Sequence, residues 1–204
     1  MGVRIATFNV NSIRSRIDRV EALLQRHDID VLAVQETKAR EEQFPLMGLQ
    51  SLGYDVAMSG TNQWNGVALI SRVGLEDVQI GFDGMPGYGE PIAAESRAIG
   101  AVCGGVRIWS LYVPNGRKPD DPHYHYKLEW LANLRAEATQ WLDSPTALVG
   151  DWNICPTDDD AFDDIDAAFV ESLFDDNDLD VDVDDVDNDG DVAEDLDQET
   201  YVYV

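Results

Sequence analysis

All 14 lysines and arginines of this 204-residue chain lie at or before Arg135, while acidic residues continue to the end. From Asp158 to Val204 there are 21 of the chain's 40 carboxylates and no basic residue. Residues 1–157 thus carry 14 cations and 19 carboxylates, a balance of −5 within a total of −26. A packed core belongs in that near-neutral body. Leu179–Val186 is almost a Val/Asp alternation, and a carboxylate at every second position repels its neighbour across any strand pairing. The acidic stretch is therefore expected to be a largely disordered, low-complexity tail, with a domain boundary near Asp158. Two weak exceptions stand inside it: Ala167–Phe174 has material for two helical turns, and Thr200–Val204 is β-prone.

The same distribution excludes several classes. A halophilic surface would spread its acid over the whole chain. The longest apolar stretch, Ala98–Val106, lies between Arg97 and Arg107 and is too short to span a bilayer. The start has no signal-peptide layout, and Ala6 stands where a myristoylation signal wants Ser or Thr. Cys103 and Cys155 form neither a C-x-x-C pair nor a disulfide framework. A cytoplasmic setting without membrane attachment is expected.

Val3–Asn9 and Val31–Val34 are apolar runs of the buried-strand type. Between them Ile13, Ile17, Val20, Leu23 and Leu24 recur at helical spacing, and His27-Asp28 marks the stop. Strand–helix–strand points to an α/β protein with mixed sheets covered by helices. Tyr54–Met58 and Val67–Ser71 read as a strand pair, Phe82–Pro91 as a loop, and Arg97–Val102 with Val106–Val113 as a hairpin across Gly104-Gly105. Tyr126–Leu142 reads as a helix with Leu128, Leu131, Leu134 and Ala138 inward, and Ala147–Val149 as a further strand.

Polar groups close these strands: Asn9 and Asn11, Glu36, Tyr112 and Asn115, Asp151 and Asn153. Each has an ordinary explanation taken alone. Asn9 and Asn11 suit a turn, Glu36 a strand-end surface carboxylate, Tyr112 packing, and Asp151 a cap. Together, at four strand ends, they describe the rim where α/β proteins build sites. A half-buried carboxylate is costly unless it is paired or binds a metal. Hard oxygen donors of this kind suit Mg²⁺.

The stretches Ala6-Thr7-Phe8-Asn9-Val10-Asn11-Ser12-Ile13-Arg14, Gln35-Glu36-Thr37-Lys38, Trp64-Asn65-Gly66-Val67-Ala68, Tyr112-Val113-Pro114-Asn115-Gly116-Arg117 and Gly150-Asp151-Trp152-Asn153 closely resemble bacterial exonuclease III. That is an abasic-site endonuclease family of the endonuclease/exonuclease/phosphatase superfamily. The likeness is continuous over about residues 4–157 and looks most like the actinobacterial branch. It implies a deoxyribonuclease-like sandwich of two mixed β-sheets flanked by helices, its second half incomplete here. It also implies a monomeric, Mg²⁺-dependent phosphodiesterase of base excision repair, with Mn²⁺ as a substitute, acting on double-stranded DNA at abasic sites and 3′ ends. On the resemblance, Glu36 would ligate the metal with Asn9 and Asn11 in or behind its ligand set. Asp151 would activate the attacking water, Asn153 would hold a phosphate oxygen, and Tyr112 and Asn115 would steady the phosphate or leaving oxygen. Arg14, Lys38, Arg117, Lys118 and Lys127 would contact the DNA backbone.

Family members carry a further Asp in an Arg-Ile-Asp-like motif and a terminal Ser-Asp-His motif. Neither occurs after Thr157, where the acidic stretch stands instead. This departure implies catalysis impaired by loss of the C-terminal Asp and His motifs, and it keeps a second reading open: a catalytically inactive truncated or chimeric protein whose acidic tail mimics nucleic acid or binds cations. His123 and His125 form an H-x-H pair, two ligands short of a zinc set. In the tail, Asp185, Asp187, Asp189 and Asp191 with Gly190 follow the opening of a calcium loop. Its twelfth position, Leu196, lacks the carboxylate.

A polyanion tethered beside basic residues competes with DNA for them at high effective concentration. Cutting the chain after Thr157 is therefore expected to tighten DNA binding at low salt, with a difference that shrinks as salt is added. Affinity at two salt concentrations checks this, with circular dichroism as the folding control; equal low-salt affinities of two folded forms would contradict it.

Overall fold

The computed structural model describes residues 2–61, 63–154 and 199–200. The helical turns, calcium loop and disorder expected in the acidic stretch, and Cys155, lie outside the described residues. The apolar runs form two mixed sheets. Strands β1 (Ile5–Asn9) and β2 (Val31–Gln35) pair in parallel, and β4 (Val67–Ser71) joins antiparallel to both β2 and β3 (Asp55–Ser59). A two-residue strand, β9 (Glu199–Thr200), pairs antiparallel with β1, with Thr7 opposite Thr200. The second sheet runs β5 (Glu76–Ile80), β6 (Ala98–Cys103), β7 (Val106–Tyr112) and β8 (Thr146–Asp151); β7 and β8 are parallel and the other pairs antiparallel.

Strand alternation explains how the layers pack. Ile5, Val31, Ala33, Val67 and Leu69 face inward from the first sheet onto Ile99, Ala101, Cys103, Ile108 and Val149 of the second. Their neighbours Ala6, Phe8, Leu32, Val34, Ala68 and Ile70 face outward, under helix α1 (Ile17–His27) and helix α2 (Leu46–Ser51). On the far side Trp109 and Leu111 lie under helix α3 (Pro122–Ala138). Strands buried on both faces need mostly apolar sequences, and β2 and β4 have near-continuous runs, while β1 and β7 are interrupted at Thr7, Arg107 and Ser110. Toward the strand ends the apolar contact gives way to a polar seam. Thr7 Oγ1 donates to Gln35 Oε1 (3.2 Å), Gln35 Nε2 to Ser110 Oγ (2.9 Å), and Ser110 Oγ to the Val34 carbonyl (3.0 Å).

Two elements were not expected from the sequence. β5 (EDVQI) is a largely exposed edge strand without an apolar run, and α2 (LMGLQS) is one short segment. The orientation of α3 also differs. Leu128 points to solvent at 47% exposure, whereas Tyr126, Trp130 and Leu134 are buried with His123 and Lys127. Two aromatic rings bury more surface than the leucine, and Trp130 meets Phe82 edge-on at 5.0 Å, so the aromatic face turns inward. Among the described residues no helix is long and apolar enough to cross a membrane.

Helix orientation sets a stability test. Trp130→Ala is expected to cost about 3–5 kcal/mol, while Leu128→Ala on the same helix stays within about 0.5–1 kcal/mol. Urea denaturation of both variants checks this; the reverse order would contradict the packing.

Candidate active site

The ends of β1, β2, β7 and β8 meet on one rim, where the side chain of Asn9 joins two carboxylates. Asn9 Nδ2 donates to Glu36 Oε1 and to Asp151 Oδ2, both at 2.9 Å. The Tyr112 hydroxyl donates to the same Glu36 oxygen at 2.8 Å. Lys38 Nζ lies 3.1 Å from Glu36 Oε2 and also donates to Asn11 Oδ1. Asp151 Oδ1 accepts the Asn153 backbone N–H at 2.9 Å, and Asn153 Nδ2 donates to the Val113 carbonyl at 2.9 Å. The register of β7 against β8 sets Tyr112 opposite Asp151. Close approach of these strands requires Gly150, whose φ of +145° disfavours a side chain and whose Cβ would run into the Leu111 backbone.

Left-handed backbone concentrates on this rim. Asn11, Ser12, Glu36, Lys38, Asn65, Arg117 and Asn153 all have φ between +39° and +90° without being glycine. Such conformations cost of order 1–3 kcal/mol each and persist where the surroundings over-determine them. Here the loops are laced together. Ser12 N–H donates to the Glu36 carbonyl (2.8 Å), Ile13 N–H to Thr37 (3.1 Å) and Lys38 N–H to Asn65 (3.0 Å), while Val113 N–H donates to Asp151 (2.9 Å).

Environment separates the two carboxylates. Burial alone would raise Glu36, but hydrogen bonds from Asn9, Tyr112 and Lys38 hold it below the ordinary glutamate range. Burial raises Asp151, and the charge of Glu36 adds to this, against the hydrogen bonds from Asn153 and Asn9 and the charge of Lys127. Burial and the charge of Glu36 push the Tyr112 phenol upward, so it stays a neutral donor. Shifts in opposite directions favour the anion at Glu36 and proton uptake at Asp151.

The expected residues divide. Asn9, Glu36, Tyr112 and Asp151 share one hydrogen-bonded cluster, with Asn153 joined through its backbone and Asn11 through Lys38. Asn115 is exposed and closes its own turn, its Oδ1 accepting Arg117 N–H at 2.9 Å. Arg14, Arg117 and Lys118 are exposed. Lys127 is 8% exposed and its amine donates to the Asn153 carbonyl. His123 is buried and His125 exposed, and no group of three His, Cys, Asp or Glu side chains gathers to hold a metal among the described residues.

Glu95 and Arg97 were missed. Arg97 is 5% exposed, pairs with Glu95 at 2.7 Å and stacks over the Tyr112 ring at 4.8 Å. Glu95 also accepts from Asn65 Nδ2 at 2.9 Å, which ties the Trp64-Asn65-Gly66 segment to the tyrosine. The available signal is two opposite charges spaced i, i+2 at the mouth of an apolar strand, where both side chains share a face.

The family described as Endonuclease/Exonuclease/phosphatase family matches residues 6–191, a stretch that runs past the composition break at Asp158. The chain is 29% identical over 163 residues to exodeoxyribonuclease III of Haemophilus influenzae, covering 76% of this chain and 59% of that protein. A 3′-5′ exonuclease (NExo) from Neisseria meningitidis superposes with a TM-score of 0.72 at 35% identity, covering 79% of this chain and 62% of that one. An AP endonuclease from Archaeoglobus fulgidus superposes with a TM-score of 0.69 at 39% identity, covering 76% and 59%. The chain spans about three fifths of the length of these relatives.

The split between the carboxylates is directly measurable. In metal-free buffer the Glu36 side-chain carboxyl carbon is expected to titrate below the ordinary value of about 4.3 and that of Asp151 above about 3.9. Carbon-detected NMR titration checks both directions; Glu36 above its ordinary value, or Asp151 below its own, would contradict it.

Proposed function

The chain belongs to the endonuclease/exonuclease/phosphatase family, and we propose that it is a Mg²⁺-dependent DNA phosphodiesterase of repair, cutting 5′ of abasic sites and trimming 3′ ends as a cytoplasmic monomer. The observation that carries this reading is the Asn9 amide bridging Glu36 and Asp151 beside the Tyr112 hydroxyl. That cluster offers an anion, a proton acceptor and neutral donors within one hydrogen-bonded group.

A divalent ion fits the donors present. Lys38 Nζ already rests on Glu36 Oε2 and Asn11 Oδ1, so hard oxygens here hold a cation. Glu36 would hold the metal directly, with Asn9 and Asn11 in or behind its ligand set; Mn²⁺ has the same oxygen preference. When bound, the ion supplies charge compensation for the phosphate oxygens.

The chain's own residues account for the remaining steps. Asp151, raised by burial, accepts a proton from water as that water's oxygen bonds to phosphorus. The P–O3′ bond breaks in line, and the departing 3′ oxygen takes a proton from solvent water. Asn9 keeps the Asp151 carboxylate oriented through its 2.9 Å bond to Oδ2. Tyr112 and Asn115 would steady the phosphate or leaving oxygen, and Asn153 would hold a phosphate oxygen. Arg14, Lys38, Arg117 and Lys118 provide positive charge for the DNA backbone.

Nicking of an abasic duplex tests this reading. Cleavage is expected with Mg²⁺, to vanish in EDTA, and to fall by about 10²-fold or more in Glu36→Ala and in Asp151→Asn. Rates unchanged by EDTA, or by both substitutions, would overturn it.

A further inference from the structure

Helix α3 carries two buried polar side chains whose ends both leave the helix for the rim. Asp121 caps it by accepting His123 N–H at 2.8 Å, so the first turn starts beside the loop that follows β7. His123 is 6% exposed and Lys127 is 8% exposed. A lysine is rarely so buried unless it has a partner. Each places its polar end on a backbone carbonyl: His123 Nδ1 on Asn115 and Lys127 Nζ on Asn153. A carbonyl only accepts, so Nδ1 of His123 carries the proton.

The surrounding contacts fix both side chains. Tyr88 and Tyr126 pack edge-on against the His123 ring at 4.7 and 5.5 Å. The Lys127 stem passes under Gly116, where a Cβ would lie 3.2 Å from Lys127 Cδ and 3.0 Å from Tyr124 Cδ2. The loop after β7 therefore rests directly on the lysine. That loop and the turn after β8 are joined to each other by Val113 N–H to Asp151 and by Asn153 Nδ2 to Val113, both at 2.9 Å. Asn153 is itself held at φ +48°.

We propose that Lys127 and His123 are positioning residues that clamp the Asn153 turn and the Asn115 loop from behind. They set the spacing of the phosphate-facing groups without touching DNA. The kinetic consequence rests on the phosphodiesterase reading; the clamp itself does not.

Kinetics separate a clamp from a DNA contact. A lysine on a phosphate lowers KM and steepens salt dependence, so its loss raises KM. Loss of a clamp misplaces groups at the reacting phosphate and lowers kcat, and a displacement near 1 Å costs about 10²-fold. Lys127→Met keeps the stem and removes the donor. It is expected to lower kcat about 10- to 100-fold, to leave KM within about threefold, and to leave the salt dependence of kcat/KM unchanged. Lys127→Arg, which keeps a charged donor, recovers part of kcat. Arg135→Met, an exposed charge loss on the same helix, changes neither constant.

A second measurement is independent of activity. In ¹⁵N NMR, backbone amide exchange at Asn153 and Val113 is expected to accelerate about tenfold or more in Lys127→Met, with Leu32 and Val34 unchanged. His123→Phe, which keeps the ring packing, speeds exchange at Arg117. A raised KM with unchanged kcat, or unchanged exchange at Asn153 and Val113, overturns the proposal. Should Lys127→Met not fold by circular dichroism, Lys127→Gln carries the same comparisons. Should the unaltered chain not nick abasic DNA, the phosphodiesterase reading falls and amide exchange alone decides the clamp.

Discussion

One amide nitrogen, Nδ2 of Asn9, is shared between carboxylates 27 and 142 residues away in the chain, at 2.9 Å from each. Glu36 ends a strand of the first sheet and Asp151 ends a strand of the second, so both bonds exist only while the sheets keep one relative setting. Apolar packing between the sheets brings them together but does not select a register along the strands, because dispersion is non-directional. The seam of Thr7, Gln35 and Ser110 supplies direction just below the rim, with hydrogen bonds that a slipped sheet would leave unmade in a buried place. The bridging asparagine depends on that seam.

The bridge also shapes the electrostatics. Two half-buried carboxylates that accept from the same nitrogen would both resist ionisation if their surroundings were alike. They are not alike. Glu36 collects Asn9, Tyr112 and Lys38, whereas Asp151 has Asn9, one backbone N–H and the more distant charge of Lys127. The tyrosine is held in turn by Arg97, a buried cation compensated by Glu95. Removing one member of such a buried pair strands the other charge, so the electrostatic setting of the rim is bound to the stability of the fold.

Much of this was legible in the sequence, for reasons that particular residues make plain. β1, β2, β4 and β7 are largely buried on both faces, so their sequences are mostly apolar, and the polar residues that end them stand out. Asn9, Glu36, Tyr112 and Asp151 were readable for that reason. β5 was not, because an exposed edge strand has no hydrophobic demand to meet. The face of α3 was misread because Leu128 and Trp130 both fit a helical stripe, and only the space beside Phe82 and Trp109 selects between them. Lys127 looked like a surface cation since its burial depends on the loop that crosses it at Gly116. Glu95 and Arg97 follow a Gly- and Pro-rich stretch, and their only local signal, opposite charges at i, i+2, does not by itself say that they turn inward.

The rim must also sustain its own backbone. Seven non-glycine residues in left-handed conformations, Glu36 among them, lie in and around the four-residue cluster, a conformation that outside asparagine is costly in a free loop. Their side chains explain why glycine does not replace them: Glu36, Lys38, Asn11 and Asn153 each make a bond at the site that glycine would lose. The conformational cost is offset by the lacing of one loop to the next, from Ser12 to Glu36, Lys38 to Asn65 and Val113 to Asp151. A chain that loosened any one of these loops would relieve strain there and misplace the carboxylate beside it. Local strain and cross-loop hydrogen bonding are therefore two aspects of one arrangement, in which the rigidity of the rim resides in its connections rather than in its helices or strands.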